Sequence, residues 1–308
     1  ESLHRRIAAD ETRTARAAIE GPVPVIEAHG LGVSDPVGTV FADVDLRVPE
    51  GGVLVVHGAP GGGKTSLLLT LAGRMAFTAG SLDVAGRLLP DQRHGVRKAT
   101  ALAEITGVND LDPLLSIGDH LTERLAGRGW LPWVGAHARD RATGLLTDLL
   151  GYAVSAVPAA HASPSLASTT RVRDLAPLER WVLGVTLALL DEPEILLVDD
   201  IDGLRGSDDR AAAWAVLASL AGSPVRRTAR THRTQPARAL TVVVSCRDLH
   251  EATDALAGAG GIPLVSLALA SRSAEADSFV TEHTGDPWTD PVAASFPDPA
   301  DELSEKVH

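Results

Sequence analysis

The chain has 308 residues, which is enough for one large α/β domain or two small ones with a buried core. Its composition, 44% hydrophobic and 22% charged, is that of a globular protein and argues against a wholly disordered chain. The formal net charge of −12 argues against broad binding to nucleic acid or anionic lipid, because both require a basic surface. Cys246 is the only cysteine, which excludes an intramolecular disulfide and favours a reducing compartment.

The first part of the chain contains strands that lead into a glycine-rich turn. Residues 1–21 are charged and predict a short helix or a loose arm, without the continuous apolar stretch of a signal peptide. Apolar and β-branched residues then predict strands, and the run after the glycine cluster has helical composition. The predicted strands are 23–28, 39–48, 53–57, 81–87 and 99–105, and the predicted helix is 65–72.

The second part of the chain alternates helices with short apolar strands. This alternation predicts a mostly parallel sheet with helices on both faces. The longest uncharged run, residues 255–271, contains glycines and Pro263 and predicts a turn and a buried strand instead of a membrane span. The predicted helices are 117–127, 137–152, 175–190, 208–221 and 248–256, and the predicted strands are 195–198, 240–245 and 264–269.

Two polar segments lie outside this alternation. Residues 222–239 carry five arginines without apolar periodicity, which indicates a solvated loop or, alternatively, a docking segment for anionic lipid or for the chain's own acidic end. Residues 273–308 hold nine carboxylates and four prolines and predict a disordered acidic tail. Trp130 and Trp133 indicate a packing corner or, alternatively, a contact surface for a membrane partner.

The segment from Gly58 to Thr65 fits the pattern G-x-x-x-x-G-K-[ST] of a P-loop. Glycines allow the backbone to wrap around a phosphate, and the following helix adds the positive end of its dipole. We expect Lys64 to reach the β- and γ-phosphates, and the Thr65 hydroxyl to bind Mg²⁺. The predicted nucleotide-binding residues are Gly58, Ala59, Pro60, Gly61, Gly62, Gly63, Lys64, Thr65 and Ser66.

A second apolar strand ends in a pair of carboxylates, Asp199 and Asp200. In a parallel sheet the carboxyl end of this strand lies beside the P-loop, where Asp199 can hold Mg²⁺ through water. Asp200 occupies the position of a catalytic carboxylate that polarises the attacking water. Taken alone, the pair would be read as a buried strand that ends in solvated aspartates, but the P-loop upstream favours a role in nucleotide chemistry.

Across residues 23–270 the order of these parts resembles the ATP-binding subunit of ABC transporters. The run TVFADVDLRVPEGGVLVVHGAPGGGKTSLLLTLAG resembles that family's approach to the P-loop, and TAGSLDVAGR is similar to its next hairpin. DLDPLLSIGDHLTERL resembles the stretch where its helical subdomain starts. The resemblance implies a P-loop NTPase fold over residues 22–272, with an antiparallel β subdomain and a helical subdomain at about 112–190.

Several positions depart from the family pattern. The signature LSGGQ corresponds to Leu175-Ala176-Pro177-Leu178-Glu179, so its serine and both glycines are missing. No aromatic residue stands near Asp35, where the family stacks a ring on adenine. Asn109 is the nearest polar substitute for the Q-loop glutamine, and the switch histidine falls at Cys246 or Arg247. Asp200 replaces the catalytic glutamate and is one methylene shorter.

The resemblance implies an ATP-binding subunit that binds ATP and Mg²⁺ and associates with a separately encoded membrane permease. It also implies a homo- or heterodimer of ATP-binding subunits, a cytoplasmic location at the inner face of the cell membrane, and no nucleic acid partner. Because groups that would stabilise the transition state are missing, we expect weak or partner-dependent hydrolysis. The alternative is a catalytically degenerate, ATP-sensing regulatory or scaffold subunit.

Overall fold

The structure is a computed structural model. It describes residues 24–36, 38–103, 105–128, 136–225, 238–257 and 261–270. The predicted arm at 1–21, the predicted tail at 273–308, the two tryptophans at 130 and 133, and the arginines at 226, 227, 230 and 233 lie outside these ranges.

The N-terminal third builds a four-stranded antiparallel sheet. Its strands are arranged in the order β2-β1-β4-β5. The register of β1 shifts several times along its length, so the two long strands of its hairpin pair with irregularities. The strands are β1 (Pro24–Asp35), β2 (Gly38–Pro49), β4 (Ala79–Val84) and β5 (Leu88–Leu89).

A five-stranded parallel sheet forms the centre of the fold, with the order β11-β3-β10-β7-β6. A separate short hairpin pairs β8 with β9. The remaining strands are β3 (Val53–His57), β6 (Thr100–Leu102), β7 (Ile195–Val198), β8 (Pro224–Val225), β9 (Arg238–Ala239), β10 (Thr241–Cys246) and β11 (Leu264–Ala268).

Helices connect the strands of the parallel sheet. Among the described residues, none of the helices has the length and apolar character that crossing a membrane requires. The helices are α1 (Lys64–Leu71), α2 (Arg93–Ala99), α3 (Ile117–Arg128), α4 (Ala136–Ala156), α5 (Pro177–Leu189), α6 (Ser207–Leu220) and α7 (Leu249–Ala257), with 3-10 turns at Val172–Asp174 and Ile201–Gly203.

The central strands β3, β7 and β10 are mostly apolar because both faces of the parallel sheet are buried there. Side chains alternate between the faces, so Val53 and Val55 join the apolar cluster that contains the helical region, while Leu54 and Val56 join the opposite cluster. The first cluster includes Trp214 of α6, and the second includes the antiparallel sheet and α1. The sheet is therefore the layer that divides the core in two.

The predicted fold class is confirmed: a parallel sheet flanked by helices adjoins an antiparallel sheet. The predicted strand at 99–105 is shorter, because residues 93–99 form α2, which the sequence analysis did not predict. This helix is short, strongly basic and interrupted by Gly95, so it lacks a clear helical pattern. The boundaries of the helical subdomain and of the terminal segments remain predictions.

Arg238, the one predicted loop arginine that the structure describes, is part of an ion-pair group. Its Nη1 lies 2.9 Å from Oε2 of the buried Glu194, whose other oxygen lies 3.3 Å from Nη2 of Arg87. Two arginines thus compensate one buried carboxylate. The Arg238 side chain is nevertheless 45% exposed, and the roles predicted for the arginine segment, a solvated loop or a docking segment for anionic lipid or for the chain's own acidic end, remain predictions.

Candidate nucleotide-binding site

The P-loop leaves the carboxyl end of β3 and enters α1, as the sequence predicts. Gly61 and Gly63 have φ values of 80° and 82°, in the left-handed region that favours glycine. A Cβ on Gly63 would lie 2.8 Å from the carbonyl oxygen of Val40, and one on Gly58 would lie 2.3 Å from that of Leu269. The glycines are therefore required both by the turn and by the backbone packed against it.

The Lys64 ammonium folds back over the loop that precedes it. Its Nζ donates hydrogen bonds to the carbonyl oxygens of Gly58, at 2.7 Å, and Ala59, at 3.0 Å. The first turn of α1 contains no acidic residue, so the positive end of the helix is not neutralised by its own side chains. An ammonium, glycine amides and a helix N-terminus together form a site suited to a polyphosphate.

Asp199 connects the P-loop helix to the end of the second apolar strand. Its Oδ2 accepts a hydrogen bond of 2.7 Å from the Thr65 hydroxyl, and its Oδ1 accepts one of 2.5 Å from the Ser245 hydroxyl. The same Ser245 oxygen accepts a bond of 2.8 Å from the backbone N–H of Asp200. The completely buried Ser245 thus holds both aspartates at the carboxyl edge of the sheet.

Asp200 lies in a strained position beside this network. Its φ of 47° places a non-glycine residue in the left-handed region, directly before a 3-10 turn. Partial burial raises the pKa of Asp200, and the nearby Asp202 and Asp199 raise it further. Arg247 and Lys64 oppose this effect by favouring the charged carboxylate.

These groups line one open cavity of about 820 Å³, a size typical of ligand sites. It brings together the predicted residues Pro60, Gly61, Gly63, Lys64, Thr65, Ser66, Asp199 and Asp200. Gly58 and Ala59 contribute as acceptors for Lys64, and Gly62 packs near the carbonyl of Ala270. The other lining residues are Asp35, Val40, Met75, Ile105, Thr106, Pro177, Arg180, Trp181, Gly203, Leu204, Ser245 and Arg247.

Sequence reasoning missed Ser245 and named Arg247 only as one of two candidates for the switch position. Ser245 and Arg247 belong to strand β10 or follow it, so the chain brings them to the P-loop only because β10 pairs with β3. Their signal in the sequence is their place at the end of an apolar strand, which is where parallel-sheet sites lie. Trp181 is the aromatic side chain among the described lining residues, and Asp35 lies at the cavity as predicted.

The segment matched to the signature forms the start of α5. Ala176 is the N-cap but offers no side-chain acceptor, and Pro177 is the first helical residue. The buried Glu179 accepts hydrogen bonds from the N–H groups of Ala176, at 2.8 Å, and Ser163, at 2.7 Å. The helix end is thus capped by its own glutamate, while Pro177 has no N–H to offer a ligand.

Asn109 does not line the nucleotide cavity. Its Oδ1 accepts the Ile105 N–H at 2.8 Å, and its Nδ2 donates to the carbonyl of Ala103 at 3.1 Å. It lines a second groove of about 640 Å³, between this loop and α3 and α5. Thr106 is the polar side chain of the same loop that lines the nucleotide cavity.

The second groove has an acidic lining. It carries four carboxylates, from Asp110, Asp112, Glu123 and Asp191, against Arg124 and His120. Arg124 is already paired with Asp191, at 2.8 Å. The groove therefore presents negative charge to any partner that enters it.

Comparison with protein families places these features in a known group. The sequence model described as ABC transporter matches residues 41–202, which include the P-loop, the segment matched to the signature and both aspartates. The chain belongs to the ABC transporter family. Members of this family are ATP-binding subunits of transporters, so the expected resemblance is confirmed.

Two curated relatives share about a third of their residues with this ABC family member. The cytochrome c biogenesis ATP-binding export protein CcmA of Cupriavidus necator is 34% identical over 214 residues, 68% of this chain and 88% of that protein. The hemin import ATP-binding protein HmuV of Pseudomonas fluorescens is 31% identical over 207 residues, 63% of this chain and 76% of that protein.

Solved structures with the same fold are ATP-binding cassettes. A dimeric cassette in a post-hydrolysis state, bound to ADP and Pi, has a TM-score of 0.56 at 17% identity and covers 79% of this chain and 96% of its own. CbiO1 of Clostridium perfringens, part of an ABC transporter complex, has a TM-score of 0.54 at 12% identity and covers 75% and 82%. These likenesses show the cassette fold.

Proposed function

We propose that this ABC family member binds ATP with Mg²⁺ in the 820 Å³ cavity and serves a membrane transporter as its ATP-binding subunit. The single observation that supports this most strongly is the convergence of Lys64, Thr65 and Asp199 on one cavity beside a glycine turn. The glycine amides and Lys64 would hold the phosphates. The proposed binding uses the backbone N–H groups of the P-loop and the side chains of Lys64, Thr65 and Asp199, which match the family pattern.

The metal expected in this cavity fits the oxygen donors present. The Thr65 hydroxyl and the Asp199 carboxylate already lie 2.7 Å apart, so a cation could engage both directly or through water. Mg²⁺ prefers oxygen ligands and keeps several waters. It would neutralise phosphate charge, while Ser245 keeps the Asp199 carboxylate oriented toward Thr65.

We propose that hydrolysis by the isolated chain is slow. The Asp200 side chain is one methylene shorter than a glutamate, which limits its reach toward an attacking water. Burial and the acidic neighbours of Asp200 also raise the pKa of its carboxyl group. At the helix that matches the signature, Ala176 has no hydroxyl and Pro177 has no N–H. A second copy of this chain would therefore offer few donors to a bound γ-phosphate.

The proposed partner is a separately encoded membrane permease at the inner face of the cell membrane. The relatives CcmA and HmuV are named as export and import ATP-binding proteins, which supports a transporter role. The acidic second groove suits a basic segment of such a partner, because charge complementarity directs association. We propose that the working assembly contains two ATP-binding subunits, identical or different, and no nucleic acid.

The second candidate function is an ATP-sensing regulatory or scaffold subunit. The missing signature donors favour it, because binding at the P-loop can persist when hydrolysis does not. Measuring ATP turnover with a candidate permease present separates the two. Stimulated turnover supports the transport motor, and nucleotide-dependent binding without turnover supports the sensor.

Replacing Lys64 with alanine tests nucleotide binding directly. We expect Lys64→Ala to lower the affinity for ATP·Mg²⁺ at least about tenfold, because it removes a charge-assisted contact to the phosphates. Isothermal calorimetry on the full chain measures this change. Lys98→Ala is a matched control, since it removes an exposed lysine from α2 that does not line the cavity.

The control variant should bind as the original chain does. Equal affinities of the Lys64→Ala and Lys98→Ala variants would contradict the proposed site. An absence of heat with ATP, GTP or ADP and Mg²⁺ for the unmodified chain would contradict the proposed function as a whole.

A further inference from the structure

The short helix α2 gives the surface of this acidic chain a local positive charge. Its sequence is RHGVRKA, which contains four basic residues and no carboxylate. Val96 and Ala99 are buried, so the helix directs its basic side chains to the opposite side, toward solvent. The exposed basic residues of the helix are Arg93, His94, Arg97 and Lys98.

Arg74, which follows α1, extends this positive surface. The Nε of Arg97 donates a hydrogen bond of 2.8 Å to the carbonyl oxygen of Gly73, so the two segments lie side by side. Partial burial lowers the pKa of Arg74, the positive charges of Arg97 and Arg124 lower it further, and Asp191 opposes them. We define the basic face as Arg74, Arg93, His94, Arg97 and Lys98.

The basic face lacks ion-pair partners among the described residues. None of the ion pairs in that part of the chain involves one of its side chains. Arg87, whose side chain lies against Gly95 of the same helix, is instead paired with the buried Glu194 at 3.3 Å. Like charges that lie together without counter-charges repel each other, so an anionic partner would stabilise this surface.

An apolar depression adjoins the basic face. Its volume is about 50 Å³, and Arg93 forms part of its lining. Cations beside partly exposed apolar side chains suit the surface of a bilayer, where the cations meet anionic head groups and the apolar groups meet the acyl boundary. A purely acidic protein segment would use only the charges. The other lining residues are Met75, Ala76, Phe77, Leu89 and Pro90.

We propose that the basic face docks this chain on a bilayer that contains anionic phospholipid, with its arginines and Lys98 contacting the lipid phosphate groups. The inference goes beyond the proposed function, because it requires neither nucleotide nor permease. The net charge of −12 excludes a broad basic surface but leaves room for one local contact. It also orients the molecule, since the acidic remainder is repelled by the bilayer while α2 is attracted to it.

Co-sedimentation of the full chain with vesicles tests the proposal. One set of vesicles contains equal parts of phosphatidylglycerol and phosphatidylcholine, and the other contains phosphatidylcholine alone. We expect binding to the first set only, weakening as salt screens the charges. The double variant Arg93→Gln/Lys98→Gln should lower the partition coefficient about tenfold, because each cation near an anionic surface contributes to binding. Arg74→Gln, a single change outside the helix, should lower it about threefold.

The matched control is the double variant Arg139→Gln/Arg141→Gln. It also removes two exposed arginines from a helix, but α4 packs on α3, α5 and α6 instead of α2. Its partition coefficient should stay within about twofold of that of the unmodified chain, since the attraction falls off within a Debye length of the bilayer. Melting temperatures identify a variant that loses binding because it no longer folds.

Three results would overturn the proposal. The first is equal binding of the two double variants, because another surface would then hold the vesicles. The second is a chain that binds both sets of vesicles equally or binds neither. The third is binding of polyglutamate without binding of anionic vesicles, which would assign the basic face to an acidic protein partner. All three leave the proposed nucleotide site standing, because the Lys64→Ala variant tests that site separately.

Discussion

At the scale of single residues, Ser245 links the two aspartates that follow strand β7. It is completely buried, donates to Asp199 and accepts from the backbone of Asp200. One hydroxyl therefore supplies a hydrogen-bond partner to the Asp199 carboxylate and to the backbone N–H of Asp200. The orientation of Asp199 toward Thr65 depends on this contact, so a small side chain outside the recognisable motifs positions the site.

Replacing Ser245 with alanine should affect both folding and metal binding. We expect Ser245→Ala to lower the free energy of unfolding by about 1–3 kcal/mol, because it leaves buried polar groups without a partner. The Mg²⁺ concentration needed for half-maximal ATP binding should rise, since Asp199 loses its orientation. Denaturant unfolding and a Mg²⁺ titration measure the two effects. Ser219→Ala, which removes a hydroxyl bonded within its own helix, is the control.

If Ser245→Ala changes stability but leaves the Mg²⁺ requirement unchanged, Ser245 has a purely structural role.

The sequence predicted the P-loop, Gly58 to Thr65, because this motif is defined by a fixed spacing of residue types. It did not reveal Ser245, because this contact spans 46 positions and exists only when β7 and β10 pair. Its residue type alone carries no such information.

At the scale of secondary-structure elements, one ion pair joins the two helices that follow the aspartates. Arg210 of α6 donates from Nε and Nη2 to the two carboxylate oxygens of Glu251 in α7, at 2.8 and 2.7 Å. The hydrogen bond from Arg210 lowers the pKa of Glu251, and burial opposes this shift. A bidentate pair of this kind fixes the relative position of the helices better than a single contact.

The pair predicts a pH-dependent contribution to stability. Because the pKa of Glu251 is lower in the folded state, the contribution is complete above its ordinary value of 4.5 and is lost as the pH falls through the folded value. Glu251→Gln should cost about 0.5–1 kcal/mol at pH 7, a small value because the pair is partly exposed and screened by solvent. Thermal unfolding from pH 7 to pH 4 measures it.

The Asp254→Asn variant is a control on the same helix, since its partner His250 is highly exposed. A stability difference for Glu251→Gln that grows as the pH falls would contradict the sign given above. The sequence predicted these helices from their composition, and it predicted β3 and β7 from their short apolar runs. It did not predict α2, because Gly95 and the basic residues of this short helix leave no apolar periodicity.

At the scale of the whole molecule, the cassette combines a matching phosphate site with a signature segment that has changed. The P-loop, Thr65 and Asp199 line one cavity, and the Thr65 hydroxyl donates a hydrogen bond to Asp199. The start of α5 is instead capped by Glu179 within its own chain. Since the two halves of such a site belong to different subunits in the family, we expect this chain to bind nucleotide and to offer few signature donors to a partner subunit.

Turnover by the purified chain should therefore be slow. We expect ATP hydrolysis at least about tenfold below the median enzyme rate of about 10 per second. Asp200→Asn should change this rate by less than about threefold, because we expect the Asp200 carboxylate to contribute little to the rate of hydrolysis. A phosphate-release assay, run with and without a candidate permease, measures both. Rapid turnover that Asp200→Asn abolishes would show that Asp200 is an effective catalytic residue.

The fold class was predictable because alternating helices and apolar strands allow few arrangements. The order of the strands in the sheet was not predictable, because the sequences of mostly apolar strands do not indicate which strands pair. Asn109 is the nearest polar substitute for the Q-loop glutamine by spacing, but its amide hydrogen-bonds within its own loop and lines the second groove. Local spacing does not determine which way a loop faces.

The packing of the P-loop has a consequence for synthesis. Gly63 lies against the carbonyl of Val40, and Gly58 lies against that of Leu269, whose N–H bonds His57 at 2.8 Å. The P-loop is thus packed between two segments from opposite ends of the domain. Because Leu269 follows β11, the P-loop can reach this packing only after nearly all of the domain has been synthesised.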